Sequence, residues 1–157
     1  MPLGKVLIID EDKNSCNTLK NALEKDGYSV ILSHDGDEAL IKFNALKPDI
    51  ILLDVVIPKT DGWQICREVR KKSNIPLIII TSKSETFDKV LGLELGADDY
   101  ILKPFDMMDL EDKIYDTMSE MDKRSINLFS NNLQKSISKL LHELGMPSHI
   151  KGYQYIR

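Results

Sequence analysis

The chain has 157 residues, 42% hydrophobic and 29% charged, with a net charge of −4. This is a globular composition, which excludes a disordered chain, and its acidic balance argues against wrapping nucleic acid on a basic surface. No apolar run approaches the ~20 residues that span a bilayer, so no membrane partner is expected, and the start MPLGKV carries no charged-then-apolar leader.

In chain order, four β-branched-rich runs too short for helices alternate with helix-like text. They are KVLIID (5–10), YSVIL (28–32), DIILLD (49–54) and PLIIIT (76–81), with DYILK (99–103) a weaker fifth. Cys16, Leu19 and Leu23 share one face of a first helix, and Ala39, Leu40, Phe43 and Leu46 form a stripe on a second. Ile65 and Val69, with Trp63 a further candidate, serve a third; Val90, Leu91, Leu93 and Leu95 lie in a fourth. A fifth begins near Asp106 and sets Met107, Leu110, Ile114, Met118 and Met121 at three- and four-residue steps. Gly27 and Gly96 stand where helix C-caps are expected, and Pro48 and Pro76 precede strands. The two cysteines, Cys16 and Cys66, read as core-packing thiols of a protein in a reducing cytoplasm.

Strands alternating with helices imply crossovers, hence a mostly parallel sheet covered on both faces. Ligands of such sheets sit at the carboxyl ends of the strands. Here the first run is followed by Asp10, Glu11 and Asp12; the third ends in Asp54, the fourth in Thr81, the fifth in Lys103 before Pro104. Asp12 reads as the cap of the first helix. Three carboxylates, a hydroxyl and an ammonium would then converge on one edge. Clustered carboxylates resist ionisation without a cation, and a hard divalent ion, Mg²⁺ above all, suits oxygen ligands. An aspartate held by such an ion stays anionic and can attack phosphorus, with Lys103 and Thr81 placed to neutralise the transferred group.

The blocks VLIIDED, LLDVVIPKTDGW, IIITS and ADDYILKPF resemble those of bacterial response-regulator receiver domains, in order and over about residues 4 to 121. The resemblance implies a flavodoxin/CheY-like doubly wound α/β fold: a five-stranded parallel sheet of order 2-1-3-4-5 with five helices, spanning residues 1–121. It makes Asp54 the phosphoacceptor from a sensor histidine kinase or phosphotransfer protein, with Pro58 and Gly62 at the family's spacings. It assigns Mg²⁺ to Asp10, Glu11, Asp54 and the backbone carbonyl of Val56. Glu11 departs mildly, since the family more often has Asp there. Thr81 and Tyr100 match the switch pair, Lys103 the family's lysine, and Lys103–Pro104 its cis peptide. When Thr81 moves toward the phosphoryl group, the Tyr100 ring would turn inward. Val56 and Lys83 flank the path of attacking water and are expected to influence phosphoryl lifetime.

DKVLGLELGADDY is similar to the OmpR/PhoB-like subclass, which regulates transcription and pairs through the face of the fourth helix, fifth strand and fifth helix. Lys89, Asp98, Asp109 and Lys113 supply the charges of that expected homodimer face, although solvated helix faces read equally well. Surface pairs of this kind orient a dimer more than they create it.

Other chemistry fits poorly. HELGM has Met146 where a zinc protease needs a second histidine, and no glycine-rich loop follows the first strand. A phosphatase of the haloacid-dehalogenase type would need an acid two residues beyond its nucleophile, where this chain has Val56. The chain is therefore expected to be no enzyme beyond its own phosphorylation and dephosphorylation.

After residue 121, residues 122–131 read as a linker or a helix continuation, and 132–157 as a helical extension. Leu133, Ile137, Leu140, Leu141 and Leu144 form its apolar stripe, ahead of Gly145. SISKLLHELGMPSHIKGYQYIR resembles the opening of the DNA-binding domain of the sporulation master response regulator of Firmicutes, without the recognition helix. DNA binding is thus expected only through a further downstream unit. The alternative is a stand-alone phosphorelay carrier or protein-binding module.

Overall fold

The five apolar runs form five parallel strands: β1 (Lys5–Ile9), β2 (Ser29–Ser33), β3 (Ile50–Leu53), β4 (Leu77–Thr81) and β5 (Asp99–Leu102). Their order in the sheet is β2-β1-β3-β4-β5, as the sequence led us to expect. Between and after them run α1 (Lys13–Lys25), α2 (Gly36–Leu46), α3 (Gly62–Lys72), α4 (Thr86–Glu94) and α5, described over 107–120. The computed structural model describes residues 3–83, 85–120 and 139. The readings of 121–138 and 140–157, including the tail's apolar stripe, lie outside the described residues. Residues 3–118 belong to one compact unit.

Alternation along the strands splits the core in two, because successive side chains leave opposite faces of a sheet. Leu7, Ile9, Ile51, Leu53, Leu77 and Ile79 pack with Ala39 and Phe43 of α2 and Ile65, Cys66 and Val69 of α3. Val6, Ile8, Ile50, Leu52, Ile78 and Ile80 pack with Cys16, Leu19 and Leu23 of α1 and Leu110 and Ile114 of α5. Both faces are covered, so every position of β3 and β4 is buried, and the apolar runs are continuous for that reason. Each such side chain contributes about 1.5–3 kcal/mol by leaving water. Cys16 and Cys66 are free and buried on opposite faces; burial pushes each thiol up to about 11.

The helix ends follow their caps. The Asp12 carboxylate accepts from Asn14 N and Ser15 N at the start of α1. Gly27 (φ +103°) and Gly96 (φ +107°) take the left-handed conformation just past α1 and α4, as their positions suggested. α2 ends instead on Lys47, a left-handed non-glycine residue (φ 48°) ahead of Pro48. Leu46 is exposed, because it lies at the last position of α2 and the apolar stripe ends at Phe43. On α4, Val90 and Leu93 are 51% and 43% exposed, so the apolar spacing there does not mark a buried face. No helix among the described residues is long and apolar enough to cross a membrane.

Candidate functional site

Register places the two central carboxylates side by side. Ile9 lies opposite Leu53, so Asp10 and Asp54 each emerge one residue beyond neighbouring strands, and Asp54 N donates to Ile9 O at 2.8 Å. Both side chains stay largely covered, at 5% and 9% residue exposure. Lys103 leaves the end of β5, where its backbone N–H donates to Thr81 O at 2.9 Å. Its ammonium reaches across to donate to Asp10 Oδ2 at 2.6 Å and Asp54 Oδ2 at 3.0 Å. Burial alone would lower the Lys103 pKa; the hydrogen bonds and charges of Asp10 and Asp54 outweigh it and hold the value above the ordinary lysine range. The remaining carboxylate oxygens take backbone donors: Asp12 N to Asp10 Oδ1 and Val56 N to Asp54 Oδ1, each at 2.9 Å. The peptide Lys103–Pro104 is cis.

The loop after Asp54 is set by two glycines. A Cβ on Gly62 would lie 2.3 Å from the Cα of Val55, and one on Gly36 would lie 1.9 Å from Thr60 O. Only glycine lets the starts of α3 and α2 approach this loop so closely. Gly62 N donates to Val55 O and Gly36 N to Pro58 O. Val56 itself is half exposed at the rim.

The expected switch pair lies on the same edge. Thr81 ends β4 fully buried, and Lys83 N donates to its hydroxyl at 3.5 Å. Tyr100 is buried in the α2–α3 core cluster, and its hydroxyl donates to Lys83 O at 2.7 Å. The ring thus occupies the inward position in this structure. Burial, then the charges of Asp88 and Asp54, push its phenol up.

Two carboxylates against one ammonium leave a negative charge in a covered pocket, and every donor is a hard oxygen, so the set fits a divalent cation that keeps several waters. Asp10, Asp54 and the Val56 carbonyl would hold such an ion, and Glu11 stands exposed at the rim with no hydrogen bond to the described residues. Among the described residues no three His, Cys, Asp or Glu side chains are gathered to chelate an ion unaided. Beside Lys103 a groove of about 660 Å³ opens between α1 and the start of α5, lined by Asn14, Thr18, Leu19, Pro104, Phe105 and Met107.

The four charges expected on a dimer face are placed differently from one another. Asp98 accepts from Arg70 Nη2 at 3.0 Å and Leu77 N at 2.9 Å, within its own chain. Lys113 donates to Asp99 Oδ2 at 3.1 Å. Lys89 and Asp109 are exposed.

Three residues that brace the fold, two of them beside the site, escaped the sequence reading. Gly36 supports the Asp54 loop, as above. Arg70 donates from Nε to Gly96 O and from Nη1 to Ile75 O, both at 2.7 Å, tying α3 to the α4–β5 turn. His34 bonds the main chain of Asp10 at 2.9 Å. Of these only Gly36 carried a local signal, the Asp35–Gly36 turn pair; the other two contacts span 24 to 28 positions.

A five-stranded parallel sheet with two buried carboxylates bridged by a lysine at its carboxyl edge is the architecture of signal-receiver domains. The response regulator receiver domain model matches residues 6–115, and the chain belongs to that family. It is 43% identical over 136 residues to a probable transcriptional regulator of Porphyridium aerugineum, covering 87% of this chain and 55% of that protein. It is 39% identical over 153 residues to the alkaline phosphatase synthesis transcriptional regulatory protein PhoP of Bacillus subtilis, covering 95% and 63%. The chain therefore spans less than two thirds of these relatives. Among solved structures it resembles the BeF3-activated N-terminal receiver domain of Klebsiella pneumoniae RstA (TM-score 0.71, 30% identity, 73% of this chain and 97% of that one). It also resembles a CheY-like receiver of Methanospirillum hungatei (TM-score 0.74, 28% identity, 78% and 98%).

Proposed function

We propose that this chain is a phosphorylation-dependent switch acting in the cytoplasm, with Asp54 as its phosphoacceptor. The observation that carries the reading is the Lys103 ammonium bound at once to Asp10 and Asp54, 2.6 and 3.0 Å away, at the carboxyl edge of the sheet. A carboxylate oxygen of Asp54 attacks the phosphorus of a phosphohistidine on a sensor kinase or phosphotransfer protein. The P–N bond breaks with its electron pair staying on the imidazole, which takes up a proton. The Lys103 ammonium, already pointed at this spot, neutralises the oxygens that arrive, and the Thr81 hydroxyl donates to one of them. Mg²⁺ at Asp10, Glu11, Asp54 and the Val56 carbonyl supplies further charge neutralisation when bound. The groove between α1 and α5 gives the donor protein a seat beside Lys103.

The signal leaves through Thr81 and Tyr100 to the face of α4, β5 and α5. A homodimer through that face is supported by exposed Val90, Leu93, Lys89 and Asp109, while Asp98 and Lys113 are already paired within the chain. The transcriptional regulators among the relatives support an output on genes through a DNA-binding unit beyond these residues. A sporulation-type output rests on the sequence of the tail alone.

The test is labelling by acetyl phosphate in Mg²⁺. Wild-type protein is expected to take up one acid-stable, base-labile phosphoryl group, and Asp54→Ala to take up none. Undiminished labelling of Asp54→Ala would refute the assignment.

A further inference from the structure

Strand β2 ends where the cation pocket begins, and this leaves one carbonyl of the pocket without its ladder partner. Asp10 N donates to Ser33 O at 3.0 Å, the last rung between β1 and β2. In a parallel ladder the next donor, toward Asp10 O, would be the N–H of Asp35. That bond is not made, because the chain turns at Asp35, whose side chain caps α2 by accepting from Glu38 N at 2.8 Å. His34 supplies the donor instead: its Nδ1 lies 2.9 Å from Asp10 O. A carbonyl only accepts, so Nδ1 carries the proton in this bond. The Cys16 thiol adds a weaker donor to the same oxygen, at 3.4 Å.

With both carboxylate oxygens and the backbone N–H already engaged, this contact completes the restraint of Asp10. It fixes the plane of the peptide joining Asp10 to Glu11, and so the direction in which both acidic side chains leave the main chain. The turn that carries His34 is itself pinned. Gly36 N donates to Pro58 O at 3.1 Å, and Thr60 Oγ1 donates to Asp37 Oδ1. One short turn thereby braces the Asp10 end of β1 and the loop that carries Val56.

We propose that His34 is a positioning residue for the cation pocket, holding the Asp10 main chain in the orientation that binds Mg²⁺. The inference rests on the reading of Asp10 as a cation ligand. Groups that orient metal ligands without touching the metal typically change affinity 10- to 100-fold.

The experiment is calorimetric titration of the full chain with Mg²⁺, without any phosphodonor, alongside melting in EDTA to establish folding. His34→Leu keeps bulk and removes the donor; roughly tenfold weaker Mg²⁺ binding is expected. His34→Asn places an amide nitrogen where Nδ1 stood and is expected to stay within about threefold of wild type, since the donor is restored. His34→Ala replaces the leucine variant if that one fails to fold. Wild-type affinity in the donor-free variant would overturn the proposal, as would an asparagine variant as weak as the leucine one. A wild-type chain that takes up no Mg²⁺, like an Asp10→Asn control, would overturn the cation reading itself and this inference with it.

Discussion

α3 and α4 approach the same face of the sheet but are held in different ways. α3 buries Ile65, Cys66 and Val69, sets Gly62 against the main chain of Val55, and is capped by Asp61 accepting from Trp63 N. Its last turn is stapled through Arg70 to the α4–β5 turn. α4 has no side-chain cap hydrogen bond at Glu85, and Val90 and Leu93 are about half exposed. It packs closely at Gly92, where a Cβ would lie 2.6 Å from Ile79 Cδ1 and 3.4 Å from Tyr100 Cδ2. Elements with few buried apolar contacts open at low free energy, and moving parts are drawn from them. α3 is thus the fixed wall behind the Asp54 loop, and α4 the lightly seated element beside Tyr100.

Truncating one side chain on each helix gives the widest separation. Ile65→Ala should cost about 2–5 kcal/mol in urea unfolding, whereas Val90→Ala should stay within about 0.5 kcal/mol. Equal losses would erase the contrast. Arg70→Ala should come next, at about 2 kcal/mol. It sits below the 3–5 kcal/mol of a fully buried pair because Arg70 and Asp98 retain 17% and 19% side-chain exposure. The same substitution should speed amide exchange at Gly96 and Ala97, next to the lost Arg70 contact, more than in α3. Tyr100→Phe should cost less than Arg70→Ala, about 1 kcal/mol, by removing the hydrogen bond to Lys83 O. Its amide-exchange signature should be confined to the segment from Lys83 through α4; spread into α1 or α3 would contradict the seating described.

The legible parts of this molecule were those in which a local pattern and its structural consequence coincide. Continuous β-branched runs marked strands covered on both faces, and Asp12, Gly27 and Gly96 marked helix ends because caps depend on a few neighbouring residues. Asp10, Asp54, Thr81 and Lys103 were legible because each ends a strand, and a parallel sheet gathers strand ends on one edge. The face by which α4 seats was not legible from its apolar spacing. Val90 and Leu93 have that spacing yet are exposed, while Gly92, which has no side chain to reveal it, lies close to Ile79.

The sequence by itself determined the order of the strands' chemistry: acid after β1, acid after β3, hydroxyl after β4, lysine after β5. It also determined the receiver family, since those residues stand at the spacings its signature requires. Only the tertiary structure decided which groups touch. His34 meets Asp10 across 24 positions, Arg70 meets Asp98 across 28, and Lys103 meets Asp10 across 93. Such contacts depend on register and on the point where each strand stops. A strand's composition leaves that point open by a residue or two, and here one residue separates a ladder donor from an imidazole that takes its place.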